Sequence, residues 1–120
     1  EARLALKNNE AGLAVLGESL SQIARAKNVI LKLGEDGALI HVPLKNGKSW
    51  DTDRIPALNS DPKDVAGAGD CLLVASSLVL CVGGTIWEAA CIGSIAAAVQ
   101  VGRVGNTPIE IAEIYGELRE

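Results

Sequence analysis

The residues best equipped for chemistry are the seven from Asp64 to Asp70, Asp-Val-Ala-Gly-Ala-Gly-Asp, which run straight into a long apolar stretch. Small residues at a helix start let the backbone come close to a ligand, and the unpaired N–H groups and positive dipole end then face it. Such a surface suits a phosphoryl group whose charge is redistributed during transfer. Asp70, in the first helical turn, could accept the proton of an attacking hydroxyl. Asp64, on the preceding loop, could hold a cation or the loop itself. Spacing alone is met equally by a tight turn whose acid complements a helix N-terminus, and taken by itself it favours that plainer reading. The string is not a Walker A loop, and Leu72 ends any Gly-x-Gly-x-x-Gly pattern.

The elements that must position these residues can be read from periodicity. Residues 1–8 and 15–26 carry Leu, Val and Ile near helical spacing and read as helices. Val29 to Leu33 reads as a buried strand, and Gly34-Glu35-Asp36-Gly37 as a tight turn into a second strand, Ala38 to Val42. Asn46-Gly47 marks another turn before an extended stretch, Ser49 to Leu58, in which Pro56 signals an edge or an irregularity. A loop from Asn59 to Ala66 leads into the apolar helix, which ends near Val82. Thr85 with Glu88 predicts a capping box for a helix from Ile86 to about Val101. Thr107-Pro108, with Glu110 in the first turn, predicts a last helix starting there.

Composition narrows the class. The 120 residues suffice for one unit with one core, and 48% are hydrophobic. With no Phe, one Tyr and two Trp, that core must be aliphatic, which suits helices packed closely on parallel strands. The chain contains no Met. Either an initiator was trimmed from a short protein or Glu1 follows a missing segment, and the latter is the expectation. A net charge of −4 with scattered Lys and Arg argues against a nucleic-acid partner. Cys71, Cys81 and Cys91 lie in the most apolar region and read as reduced, buried thiols of a cytoplasmic protein rather than a metal site. The uncharged run from Cys71 to Trp87 is short for a membrane span and is broken by Gly83-Gly84, so a buried helical hairpin is expected. No targeting signal is recognisable at the N-terminus.

Three segments together resemble the ribokinase-like (PfkB) carbohydrate kinases. Asp64 to Asp70 is similar to that family's D-T-x-G-A-G-D signature, and Leu33 to Ala38 resembles its T-L-G-x-x-G segment. Ala96-Ala97-Ala98 and Gly102-Arg103-Val104-Gly105 resemble its Ala-rich helix and the loop that follows. The order and gaps agree, and the resemblance spans about residues 1–115. It implies an α/β fold, the C-terminal portion of a three-layer α/β/α architecture with an incomplete sheet and an exposed edge. It also implies ATP-dependent phosphorylation of a hydroxyl on a sugar or sugar phosphate. Asp70 would be the base, and Gly67, Ala68 and Gly69 the anion hole. Lys32, Gly34, Gly37, Ser94 and Gly105 would border the nucleotide. Asp64 would assist a monovalent cation, and Glu1 would end a motif near Mg2+. A homodimer would form through the missing half, which would also carry most sugar contacts, so this chain alone would be a poor catalyst.

Departures from the pattern bear on activity. Lys32 stands where Thr is usual, Val65 or Ala66 where a Thr is common, and Ser94 where many relatives have Asn. Val65 and the close spacing of Gly102 and Gly105 resemble the heptose-phosphate kinase branch. A non-catalytic nucleotide-binding module and a nucleoside kinase of the same superfamily are the alternatives. His41 reads as a surface or packed residue, Trp50 and Trp87 as packing anchors, and Glu110, Glu113, Glu117 and Glu120 as a solvated helix face.

Overall fold

Alternation along the first strands decides how the layers stack. Successive side chains of a strand point to opposite faces. In a computed structural model that describes all 120 residues, Leu31 and Leu39 pack with Leu16 in one cluster, while Ile40 packs with Ile86 and Ala90 in another, joined by Ile30. The first cluster lies under helices α1 (Ala2–Leu6) and α2 (Leu13–Ala24), and the second under α4 (Ile86–Val101). The result is three layers: α1 and α2, a sheet of β1 (Val29–Lys32), β2 (Ala38–Pro43) and β3 (Trp50–Ile55), then α4 paired with α3 (Ala68–Cys81). A final helix, α5 (Ile111–Arg119), packs on α4.

The sheet runs β1-β2-β3 and both pairings are antiparallel, with Ile30 opposite Ile40 and Ile40 opposite Asp53. The expected parallel strands are therefore not found. The reason lies in the connections: a single 3-10 turn at Gly34–Asp36 and the short turn around Asn46-Gly47 are too brief for the crossover that parallel strands need. The edges of β1 and β3 facing away from β2 are unpaired.

Local signals account for most element ends. Thr85 Oγ1 accepts from the Glu88 N–H at 3.2 Å and the Glu88 carboxylate accepts from the Thr85 N–H at 2.7 Å, completing the predicted capping box. The last helix differs from expectation. It starts at Ile111, not at Pro108, because the Thr107 carbonyl is engaged by the Arg103 guanidinium and Glu110, the N-cap, is extended. There the Glu113 carboxylate accepts from the Glu110 N–H at 2.7 Å.

Helices α3 and α4 form the expected hairpin, closed by the Ser76 hydroxyl donating to the Ala89 carbonyl at 2.9 Å. It is not buried on both sides. The face of α3 turned from α4 exposes Leu73, Val74, Leu78 and Leu80, and Val82 beyond it is 86% exposed. The thiols follow suit. All three cysteines are free, but Cys81 and Cys91 are exposed and only Cys71 is partly covered, which corrects the expectation of burial. No helix is long and apolar enough to cross a membrane.

On the opposite side His41 is fully buried between α2 and the sheet. Its Nε2 lies 2.8 Å from Glu18 Oε2 and its Nδ1 3.0 Å from Thr52 Oγ1, so a buried polar ring is satisfied at both nitrogens. Trp50 stacks obliquely on that ring at 5.6 Å yet is 43% exposed, so it covers His41 rather than anchoring a core. Trp87 packs against the Ile40 cluster as expected. Of the acidic face on α5, Glu113 is instead paired with Arg103 at 3.0 Å.

Candidate nucleotide site

The seam between the sheet and the α3–α4 hairpin opens into a cleft of about 800 Å³. Lys32, Gly34 and Gly37 line it from the turn after β1, Ala68 and Gly69 from the start of α3, and Ser94, Ala97 and Ala98 from α4. The α4 side of the cleft is built of small side chains, Ser94, Ala97 and Ala98, which leaves room for a planar ring to lie against it. Gly37 is required at the sheet wall: its φ is 88°, and a Cβ there would sit 2.0 Å from the Ile55 carbonyl oxygen. Thus six of the candidate site residues, Lys32, Gly34, Gly37, Ala68, Gly69 and Ser94, share one cavity.

The sequence motif from Asp64 to Asp70 lies at the start of α3. Gly67 is the N-cap, with φ 77° in the left-handed region, and turns the chain so that the N–H groups of Gly69 and Asp70 are left open, while that of Ala68 donates to the Val65 carbonyl at 3.4 Å. Asp70 lies in that first turn, exposed, and lines a second groove together with Lys32 and Gly69 on the far side of the helix start. Lys32 reaches over from β1. A Cβ built on Gly69 would lie 2.7 Å from Lys32 Nζ, so the ammonium sits against the helix N-terminus. None of the three ion pairs involves Lys32, which leaves its charge available where the dipole already favours an anion.

Asp64 is not in the cleft; it ties two loops together. Its Oδ1 accepts from the Ala66 N–H at 2.9 Å and its Oδ2 from the Gly105 N–H at 3.2 Å. These two backbone donors hold its carboxyl below the ordinary carboxylate range, the Ala66 bond contributing most. Gly105 likewise lines neither groove and serves in this tie. Glu1 begins α1, is exposed, and lines neither groove. No three acidic, His or Cys side chains gather anywhere into a metal-holding group. The protein side chains here do not by themselves form a cage for Mg2+.

Sequence reasoning missed the residues that support the turn. Gln100, fully buried, donates from Nε2 to the carbonyls of Ala66 and Gly105 at 3.3 and 3.0 Å. Arg103 donates to Gln100 Oε1 at 3.2 Å, to Glu113 and to the Thr107 carbonyl. Asn59 reaches across to donate to the Ala98 carbonyl at 3.1 Å, pinning the loop at the mouth of the cleft to α4. The one available signal was Gln100 itself, the single polar residue in the run from Ile95 to Val101 that closes the helix.

Comparison with known proteins bears on the family and the fold. Residues 1–112 match the pfkB family carbohydrate kinases. The bifunctional protein HldE of Desulfatibacillum aliphaticivorans is 29% identical over 112 residues, 93% of this chain and 22% of that protein. The protein of the same name from Magnetococcus marinus is 34% identical over 102 residues, 85% of this chain and 20% of its own length. Among solved structures, ribokinase from Thermotoga maritima superposes with a TM-score of 0.81 at 26% identity, over 99% of this chain and 38% of the ribokinase. Arabidopsis thaliana ribokinase complexed with ribose and ATP gives 0.73 at 18%, over 94% and 36%, and speaks for the fold alone. The chain therefore spans about a fifth of the HldE proteins and two fifths or less of these kinases. A family match over residues 1–112, nearly the whole chain, makes this chain a member of the pfkB family of carbohydrate kinases.

Proposed function

We propose that the protein transfers the γ-phosphoryl group of ATP to a hydroxyl of a sugar or sugar phosphate. The observation that carries this reading is the meeting of the cleft, the open N-terminus of α3, the Lys32 ammonium and Asp70 at one corner. In this reading the adenine lies against Ala97 and Ala98, with Ser94 beside it and Gly34 and Gly37 allowing the opposite wall to approach. The phosphate chain runs toward Gly67, Ala68 and Gly69, where the N–H groups left open at the helix start take the charge of the transferring group. Lys32 adds a point charge at the same place. Asp70 takes the proton of the acceptor hydroxyl as the phosphorus–oxygen bond forms. Mg2+, when bound with the nucleotide, would supply charge neutralisation at the phosphates; Glu1, exposed and outside both grooves, does not fit it as a ligand. The acceptor is a sugar or sugar phosphate, and a heptose phosphate is the first candidate by the resemblance of Val65 and the Gly102–Gly105 loop.

The test is turnover and nucleotide binding by the full-length protein. Asp70→Asn should lower kcat by roughly 10²–10⁴-fold while calorimetric ATP affinity is retained. Full turnover in that variant would remove Asp70 from the role of base. ATP binding without phosphoryl transfer to any sugar or nucleoside would instead favour a non-catalytic nucleotide-binding module, a reading motivated by Lys32, Ala66 and Ser94. Turnover of nucleosides alone would favour the nucleoside kinase.

A further inference from the structure

The anion-hole turn owes its position to a polar cluster that the phosphoryl-transfer reading leaves unused. The carbonyls of Ala66 and Gly105, the side-chain oxygen of Asn106 and the carbonyl of Thr107 belong to two loops that meet behind Gly67. Oxygens gathered in this way repel one another unless a positive group or a strong donor stands between them. Here the donor is Gln100 Nε2, which lies 3.3, 3.0 and 3.5 Å from the first three of those oxygens. Its orientation is fixed chemically. Arg103 can only donate, so the Gln100 oxygen must face the guanidinium, at 3.2 Å, and the nitrogen must face the carbonyls. Arg103 in turn is held by Glu113 at 3.0 Å. Gln100 is completely buried, so no water is available to replace its amide. Both Asp64 oxygens meanwhile accept from backbone N–H groups of the same two loops.

We propose that Gln100 is the positioning residue of the anion-hole turn, and that its amide, backed by the Arg103 guanidinium, takes the place a monovalent cation would fill between the loops, so that the protein needs no such ion. The Asp64 carboxylate is then a loop tie and not an ion ligand. The rate arm of the test rests on the phosphoryl-transfer reading; the melting arm does not.

Full-length protein is melted at constant ionic strength while K+ replaces tetramethylammonium, and turnover is followed in the same series. An ion that binds only the folded form must raise its melting temperature. The parent protein should show the same Tm and the same kcat throughout, and a K+-specific rise of several degrees would overturn the proposal. Gln100→Glu keeps the volume but turns the donor into another oxygen. It should melt lower in tetramethylammonium and recover as K+ is added. Its kcat without K+ should fall roughly tenfold to hundredfold, with KM for ATP little changed, because the displaced group lies at the phosphoryl end. A variant as stable as the parent without K+ would show that the amide is not what holds the carbonyls. Should the variant not fold, the parent series decides alone. Absence of turnover in every salt would count against the phosphoryl-transfer reading and leave the melting curves to judge Gln100.

Discussion

Gly67→Ala offers the most direct check of how the turn before α3 is built. The backbone there has φ 77°, where an L residue costs roughly 1–2 kcal/mol. Stiffening the unfolded chain by the same change returns about 0.4–1 kcal/mol, so the conformational loss nets to about 1 kcal/mol. The new Cβ would also lie 2.8 Å from Asn106 Oδ1, inside contact distance, and the crowding adds about 1 kcal/mol as Asn106 is pushed from its place beside Gln100. A total of about 2 kcal/mol corresponds to a fall in Tm of about 8 °C for a unit of this size. Calorimetric or circular-dichroism melts of the variant would read it. Asn106→Ala in the same background removes the crowding but not the backbone strain, so about half of the loss should return relative to the Asn106→Ala single variant. A Gly67→Ala protein that melts with its parent would refute the left-handed geometry. Complete recovery in the double variant would refute the strain and leave crowding as the whole effect.

Two further outcomes are expected. Asp64 holds its carboxylate more strongly folded than unfolded, so its tie between the loops stabilises above the unfolded pKa and is lost as pH falls through the lower folded value. Asp64→Asn should therefore flatten the acid limb of a Tm-against-pH curve, and an unchanged limb would mean that the tie does not form. With a thiol-reactive chromophore, Cys81 and Cys91 should react fast and Cys71 slowly, because burial, reinforced by the Asp70 charge and offset by Arg103, pushes the Cys71 thiol up. Three equal rates would argue against the packing around the first turn of α3.

Where a signal is local, the sequence announces the structure well. The Thr85–Glu88 box, the turns at Gly34–Gly37 and Asn46-Gly47, and the small residues before Asp70 each act over a few positions, and each appears where the pattern places it. The strand direction follows from those same turns, and a core of aliphatic residues alone pointed the wrong way. Thr107-Pro108 carries a good helix-start signal, yet Arg103 captures the Thr107 carbonyl from four residues away in the chain and delays the helix. The apolar character of α3 says that it prefers a dry environment but not which face receives one. The cleft residues were legible because small side chains and glycines are chosen for close approach. Gln100 was not, since its three acceptors come from positions 66, 105 and 106 and meet only in the folded molecule.

The cleft is also a seam between two pieces of chain that can each organise from near neighbours. Residues 29–55 form two successive hairpins, and residues 68–101 form a helical hairpin. Contacts close in sequence form early and cheaply, whereas joining Lys32 to Gly69, or Gly37 to Ser94, requires closing loops of tens of residues. Assembly of the two pieces is then the late event, and their separation the low-energy opening of the native state. A nucleotide seated between them can bind only the joined form. Its occupancy would slow amide exchange on both sides of the seam together, making the ligand a clamp on the last folding step.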